Sequence, residues 1–273
     1  MGFKNKIIEK KNQIHGSLTQ PKVVKFCIIS ATLVWVLGVI LAYLVAQLDS
    51  TGPGSDPAGY SFFINYISDF GSLRYTPMPI IINFTMMETS ILMIPVSLYL
   101  KDVLKGDGSK KLRNVLANLT LICMIIALCG FFFVGVLSED VGEKIDIIFS
   151  FSYPSHDLVA DFAFIFFMVS GILTASQVII FPDVLKEKIG LRRVVTVRVF
   201  LAINSWILTP IFFAFFYTVP YLDAVNEAFW TYLPIWQLAP FWEWLLMISL
   251  SAWLLVVSNF LLVKCLNREL KSK

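Results

Sequence analysis

Residues 26–48 read FCIISATLVWVLGVILAYLVAQL, a run of twenty-three positions without one charged side chain. An α-helix rises ~1.5 Å per residue, so a run of this length crosses a hydrocarbon core of ~30 Å. Five more blocks of the same kind follow, at about 78–100, 114–137, 156–181, 194–219 and 238–263. They are apolar all round rather than striped. Backbone groups in lipid must be satisfied within the segment, so blocks this long predict helices and not barrel strands. The composition agrees: 57% of the 273 residues are hydrophobic, 15% are charged, and mean hydropathy is +0.75. A soluble domain of that composition would have too little polar surface to cover its core. The expected fold class is all-α: a polytopic membrane protein, one six-transmembrane-helix bundle over residues 1–273, with a long outer loop at 49–77.

Charge placement predicts the orientation. Lys4, Lys6, Lys10, Lys11, Lys22 and Lys25 precede the first span. Lys101, Lys105, Lys110, Lys111 and Arg113 lie between the second and third. Lys186, Lys188, Arg192, Arg193 and Arg198 lie between the fourth and fifth, and Lys264, Arg268, Lys271 and Lys273 end the chain. Twenty of the 22 basic residues therefore fall on one side, with Arg74 and Lys144 on the other. The positive-inside rule makes that side cytoplasmic, with both the N and C termini on it. The net charge of +3 is thus a topology signal, and no nucleic-acid partner is implied. The expected partners are membrane lipids, whose anionic headgroups the basic clusters can touch; no protein partner is named by the sequence. The expected location is an integral membrane protein of the plasma membrane or an endomembrane.

The first apolar block is too long, and its charged leader too extended, for a removable signal core of 7–15 residues. Cys27, Cys123, Cys129 and Cys265 fall in spans or at the basic side, so no outer-loop disulfide framework is expected. The outer loop opens with Asp49-Ser50-Thr51-Gly52-Pro53-Gly54-Ser55-Asp56-Pro57, too rich in Gly and Pro for helix. A more apolar run, Tyr60 to Ile67, follows it and is expected along the interface or packed on the bundle. The last outer loop, 220–237, carries Tyr221, Phe229, Trp230, Tyr232 and Trp236 and reads as an aromatic belt at headgroup level.

Ionisable groups inside a membrane cost ~2.5–3.5 kcal/mol each and need a reason to be there. Glu88 lies in the second span. Asp157 and Asp161 share a face at the start of the fourth, beside His156, and Glu243 lies one turn into the sixth. Asn83 and Asn204 add neutral polar groups. Thirteen of the 19 acidic residues lie in outer loops or in these spans. An outward-opening cluster of this kind can hold a headgroup, carry protons, or knit helices by hydrogen bonds. A zinc hydrolase site is excluded, because such a site needs several histidines and the chain has two, with His15 on the basic side. No metal and no cofactor is expected, since neither phosphate-binding glycine loops nor haem spacings occur. Acyl transfer by His156 with Asp157 or Asp161 and a serine such as Ser68, Ser152 or Ser155 is conceivable, without a G-x-S-x-G elbow to support it.

Three stretches carry a resemblance. Tyr66-Ile67-Ser68-Asp69-Phe70-Gly71 resembles the Y-I-S-D-x-G signature of the damage-regulated autophagy modulator (DRAM-like) family, which includes GPI-lipid remodelling membrane factors. His156 with Ala160, Phe164 and Gly171 is similar to that family's H-x-x-x-A…F…G pattern, and Glu243-Trp244 to its E-W pair. The resemblance covers nearly the whole chain. It departs at Pro77-Met78, where the family shows Pro-Glu, and Glu88 is outside the pattern. A related prokaryotic multipass family of unknown function, with six to seven helices and an I-S-D-x-G turn, fits the same residues. The resemblance implies a protein of lipid-rich membranes tied to lipid remodelling, lipid asymmetry or autophagy, with no settled catalysis.

The expected site is therefore the outer-facing polar cluster and family motifs: Ser68, Asp69, Gly71, Glu88, His156, Asp161, Glu243 and Trp244. Asp69, His156 and Glu243 are expected to interlock the outer loop with the fourth and sixth spans around a lipid headgroup. Three functions are consistent with this cluster. The first is a lipid-binding or lipid-sensing protein without catalysis that supports lipid organisation or GPI-type remodelling. The second is a lipid-modifying enzyme using His156 with Asp157 or Asp161. The third is a proton-coupled transporter using Glu88, Asp161 and Glu243.

Overall fold

The computed structural model describes residues 3–48, 60–63, 65–106, 108–185, 191–223 and 239–271. The Gly/Pro-rich opening of the long loop and the aromatic run of the last loop lie outside the described residues. Six helices are long and apolar enough to cross a membrane. They are α2 (Pro21–Leu48), α3 (Ile80–Lys105), α4 (Lys111–Val136), α6 (Ser155–Ile180), the Val194–Val219 span and the Ala239–Asn267 part of α9 (Ala239–Lys271). The fifth span is built from α7 (Leu191–Ile203) and α8 (Thr209–Asp223) joined through a π-helical turn at Asn204–Leu208.

Two helices are too short or too polar to show as spans. The first is α1 (Phe3–Leu18), which precedes α2, and the second is α5 (Glu139–Phe149), between α4 and α6. The start of α5 is written in the sequence: Ser138 precedes the acidic pair Glu139 and Asp140, and acidic side chains favour the positive end of a helix.

The spans form a ring. α4 packs on both α3 and α6, α3 packs on α2, α8 packs on α9, and α2 closes against α9. Close approach depends on small residues, since apolar helices in lipid gain little from burial and much from packing. A Cβ on Gly130 would stand 2.8 Å from the backbone nitrogen of Ala163 in α6, and one on Gly135 would stand 2.4 Å from the Asn83 carbonyl in α3. The outward faces are apolar, as Phe26, Leu33, Leu37, Leu41 and Leu44 show along α2.

The spans alternate in direction, so one end of the ring collects the basic residues and the other the acidic loops. At the basic end Arg113 is buried. It donates to the Leu104 carbonyl at 2.5 Å and to Asp183 at 2.5 Å. Arg198 covers the last carbonyls of α6, donating to Val178 and Ile179 at 3.2 and 2.9 Å. Cations at a helix C-terminus answer both its unpaired carbonyls and its dipole.

Candidate functional site

The acidic end is built on the short 3-10 turn Ile67–Gly71. This turn is five residues long, and side chains from elsewhere hold it. Glu243, one turn into α9, accepts the Ile67 amide at 2.7 Å, and Trp244 donates its indole N–H to the Asn65 carbonyl at 3.1 Å. Asp69 accepts the Tyr66 amide at 2.9 Å and the Asn65 side chain at 3.2 Å. Tyr60 donates its hydroxyl to the Tyr66 carbonyl at 2.6 Å, and its ring stacks on Phe70 with centroids 4.0 Å apart. The Tyr60–Ile67 run therefore packs on the bundle. Gly71 is close-packed, since a Cβ there would meet the Asn83 side-chain oxygen at 2.6 Å.

Helix α5 clamps the same turn from the other side. Asp140 accepts the Ser72 hydroxyl and the Leu73 amide, both at 2.8 Å, and Arg74 pairs with Glu143 at 2.7 Å. Burial pushes the Asp69 carboxyl up to about 7, the neighbouring Glu139 adds to the push, and the bonds from Asn65 and Tyr66 oppose it. Helix α6 is held in turn by α5: Asp146 accepts the Ser155 amide at 3.0 Å, capping the helix start.

His156 is fixed by the Leu137 carbonyl, 2.6 Å from its Nδ1. A carbonyl can only accept, so Nδ1 carries the hydrogen, and in the neutral ring Nε2 is left as an acceptor. That Nε2 is buried and has no hydrogen-bond partner. Asp161 accepts the hydroxyl of Tyr153 at 2.6 Å and, through its other oxygen, that of Tyr217 in α8.

These groups face a cavity of about 550 Å³ inside the ring, within the ~300–1,000 Å³ usual for small-molecule sites. Its polar end holds Ser68, Glu139, Tyr153, His156, Asp157, Asp161, Tyr217 and Glu243. Its body is apolar, lined by Trp35, Met93, Leu128, Phe131, Phe167, Met247, Leu250 and Leu254. Along α9 the lining runs from Glu243 to Ser258, ~22 Å at 1.5 Å per residue.

Of the residues singled out from the sequence, Ser68, His156, Asp157, Asp161 and Glu243 line this cavity together. Asp69, Gly71 and Trp244 stand behind it and hold the turn that forms its roof. Glu88 is half-buried on α3 and does not line it. Glu139, Tyr153 and Tyr217 join the site without having been foreseen. Among the described residues no group of His, Cys, Asp and Glu is arranged to hold a metal ion.

A ring of six apolar helices with alternating direction and a lipid-facing exterior defines a multipass integral membrane protein. The family described as "Protein of unknown function (DUF998)" matches residues 36–258, and the chain belongs to it. No curated protein and no solved structure matches the chain. The match accords with the second of the two resemblances, that to a multipass family of unknown function.

Proposed function

We propose that this protein binds a membrane amphiphile in the ring cavity, without catalysis, and through it supports membrane-lipid organisation or remodelling of the kind the DRAM-like resemblance implies. The observation that carries the reading is the shape of the cavity's chemistry. Ionisable and hydroxyl groups gather at one end, and a ~22 Å apolar body runs from them into the bundle. A headgroup and a tail match those two parts. With the basic end cytoplasmic, the polar end sits at the outer face of the plasma membrane or an endomembrane. The test is lipid mass spectrometry on protein purified from liposomes, beside Ala160→Trp, which fills the cavity from α6. One lipid class should co-purify with the unmodified chain and be lost from the variant while it still elutes as a single species. Equal retention by both would overturn the reading.

One observation favours catalysis instead. His156 presents a buried, unpartnered Nε2 to the cavity while a carbonyl fixes its Nδ1, an arrangement suited to a general base. Among the described residues, however, its hydrogen bond goes to the Leu137 carbonyl and not to Ser68, Ser155, Asp157 or Asp161. A lipid species formed by the unmodified protein and not by His156→Ala would establish the enzyme.

A further inference from the structure

We propose that the polar end of the cavity recognises an ammonium headgroup, so that the bound amphiphile is an amine-bearing one. The inference rests on the amphiphile reading above and names the chemistry that selects within it. Tails exchange between bilayer and cavity at little net cost, because both surroundings are apolar. Selection therefore falls on the polar end.

That end is a set of acceptors. It holds four carboxyl groups, of Glu139, Asp157, Asp161 and Glu243, and among the described residues no lysine or arginine lines the cavity. The hydroxyl hydrogens of Tyr153 and Tyr217 are already committed to Asp161. What those two tyrosines still offer is oxygen lone pairs. His156 adds its Nε2, which the Leu137 bond leaves as an acceptor, in a residue only 8% exposed and with no partner of its own. A buried acceptor without a donor is costly, and no described residue supplies one. A phosphate or carboxylate headgroup brings only more acceptors and negative charge to a site that, among the described residues, no lysine or arginine lines. An ammonium group brings up to three N–H donors and the opposite charge. Asp157 lines the same end and makes no hydrogen bond or ion pair to another described residue.

The experiment uses the full chain in detergent and three probes with one tail and different heads: dodecylamine, dodecanol and dodecanoate. Butylamine, with the same head and almost no tail, is the fourth. Binding is read by native mass spectrometry and thermal shift. Dodecylamine should bind at least about tenfold tighter than dodecanol, and dodecanoate weakest. The double variant Asp157→Asn, Glu243→Gln, which keeps an acceptor for the Ile67 amide, should lose about tenfold in amine affinity and leave dodecanol unchanged. Unchanged dodecanol binding also reports that the variant is folded. Equal binding of the three long probes would overturn the ammonium assignment and leave the amphiphile reading standing. Butylamine as tight as dodecylamine would overturn the amphiphile reading and leave the ammonium site standing. No binding by any probe would overturn both.

Discussion

Two polar clusters sit inside this bundle, and they are built on opposite rules. In the middle of the bundle, Asn204 donates to the Ser249 carbonyl at 3.0 Å and accepts the Ser249 hydroxyl at 3.0 Å. Thr209 donates its hydroxyl to the Asn204 carbonyl, which also accepts the Thr209 amide at the end of the π-helical turn, and that hydroxyl lies 2.6 Å from that of Ser249. This knot ties the fifth span to α9, and beside it Ser205 Oγ and Trp253 Nε1 are buried without a partner among the described residues. At the acidic end, by contrast, Glu243 and Asp69 are committed to the turn while His156 Nε2 has no partner among the described residues, and further along the cavity Thr89 Oγ1 has none either. A binding site needs unpaired atoms that face a cavity, and His156 and Thr89 line it while Ser205 and Trp253 do not. The contrast assigns structure to the first cluster and recognition to part of the second.

The largest effect should come from the residue that serves both rules. Glu243→Leu deprives the buried Ile67 amide of its acceptor. Losing this bond and stranding its buried partner costs about 1–3 kcal/mol. The turn should detach, seen as faster proteolysis in residues 60–77 and a lower melting temperature. Stability and ligand retention should fall together. Next in size, Asn204→Leu opens the knot at about 1–2 kcal/mol, the upper part of the range for hydrogen bonds between membrane helices. Here the melting temperature should drop while dodecylamine affinity holds. A loss of affinity equal to that of Glu243→Leu would erase the distinction between the clusters.

What the sequence could show follows the size of each signal. Blocks of more than twenty apolar residues survive any local irregularity, so all six spans were legible to within a few residues. The π-helical turn in the fifth did not disturb that. Helices α1 and α5 were not foreseen because neither is long or apolar enough to stand out, although Ser138-Glu139-Asp140 carried a start signal for α5. The turn motif and the Glu243-Trp244 pair were legible as motifs, and the structure joins them by two hydrogen bonds. Which face of each span turns inward was not legible. Met86, Thr89 and Met93 line the cavity from α3, and Glu88 lies well over 90° round the helix from their mean direction at ~100° per residue. Nothing in a uniformly apolar span fixes that rotation, because it is set by packing against neighbours. Tyr217 was hidden for the same reason, as one more aromatic residue in an aromatic span.

A smaller effect tests the turn by pH. The Asp69 carboxyl is raised from 3.8 to about 7, so the fold favours its protonated form. The stability this group contributes is complete below its ordinary value and is lost as pH rises through about 7. Above that, docking the turn places two charged carboxylates, Asp69 and Glu139, side by side. Hydrogen exchange at the Tyr66 and Ile67 amides should therefore quicken between pH 5 and 8, beyond its intrinsic pH dependence (about tenfold per pH unit for free amides, corrected with peptide controls). Asp69→Asn, which keeps an oxygen for the Tyr66 amide, should flatten the excess. An excess that persists in the variant would move the titration to another group.

The smallest effect is the most discriminating. Thr89 is 8% exposed, lines the cavity, and its Oγ1 has no hydrogen-bond partner. A hydroxyl that only knits helices would be missed on removal. One held in reserve would not, because in the empty protein it already bears its desolvation cost without a bond to lose. Thr89→Val keeps the branched shape and removes only the oxygen. It should leave the melting temperature of the ligand-free protein unchanged or slightly higher, within about 0.5 kcal/mol. The cost should appear only with the amphiphile bound, as a loss of the thermal shift that the ligand confers. A destabilised empty protein would put Thr89 with Asn204 and Ser249 as a knitting residue and shrink the recognition cluster to the groups around His156.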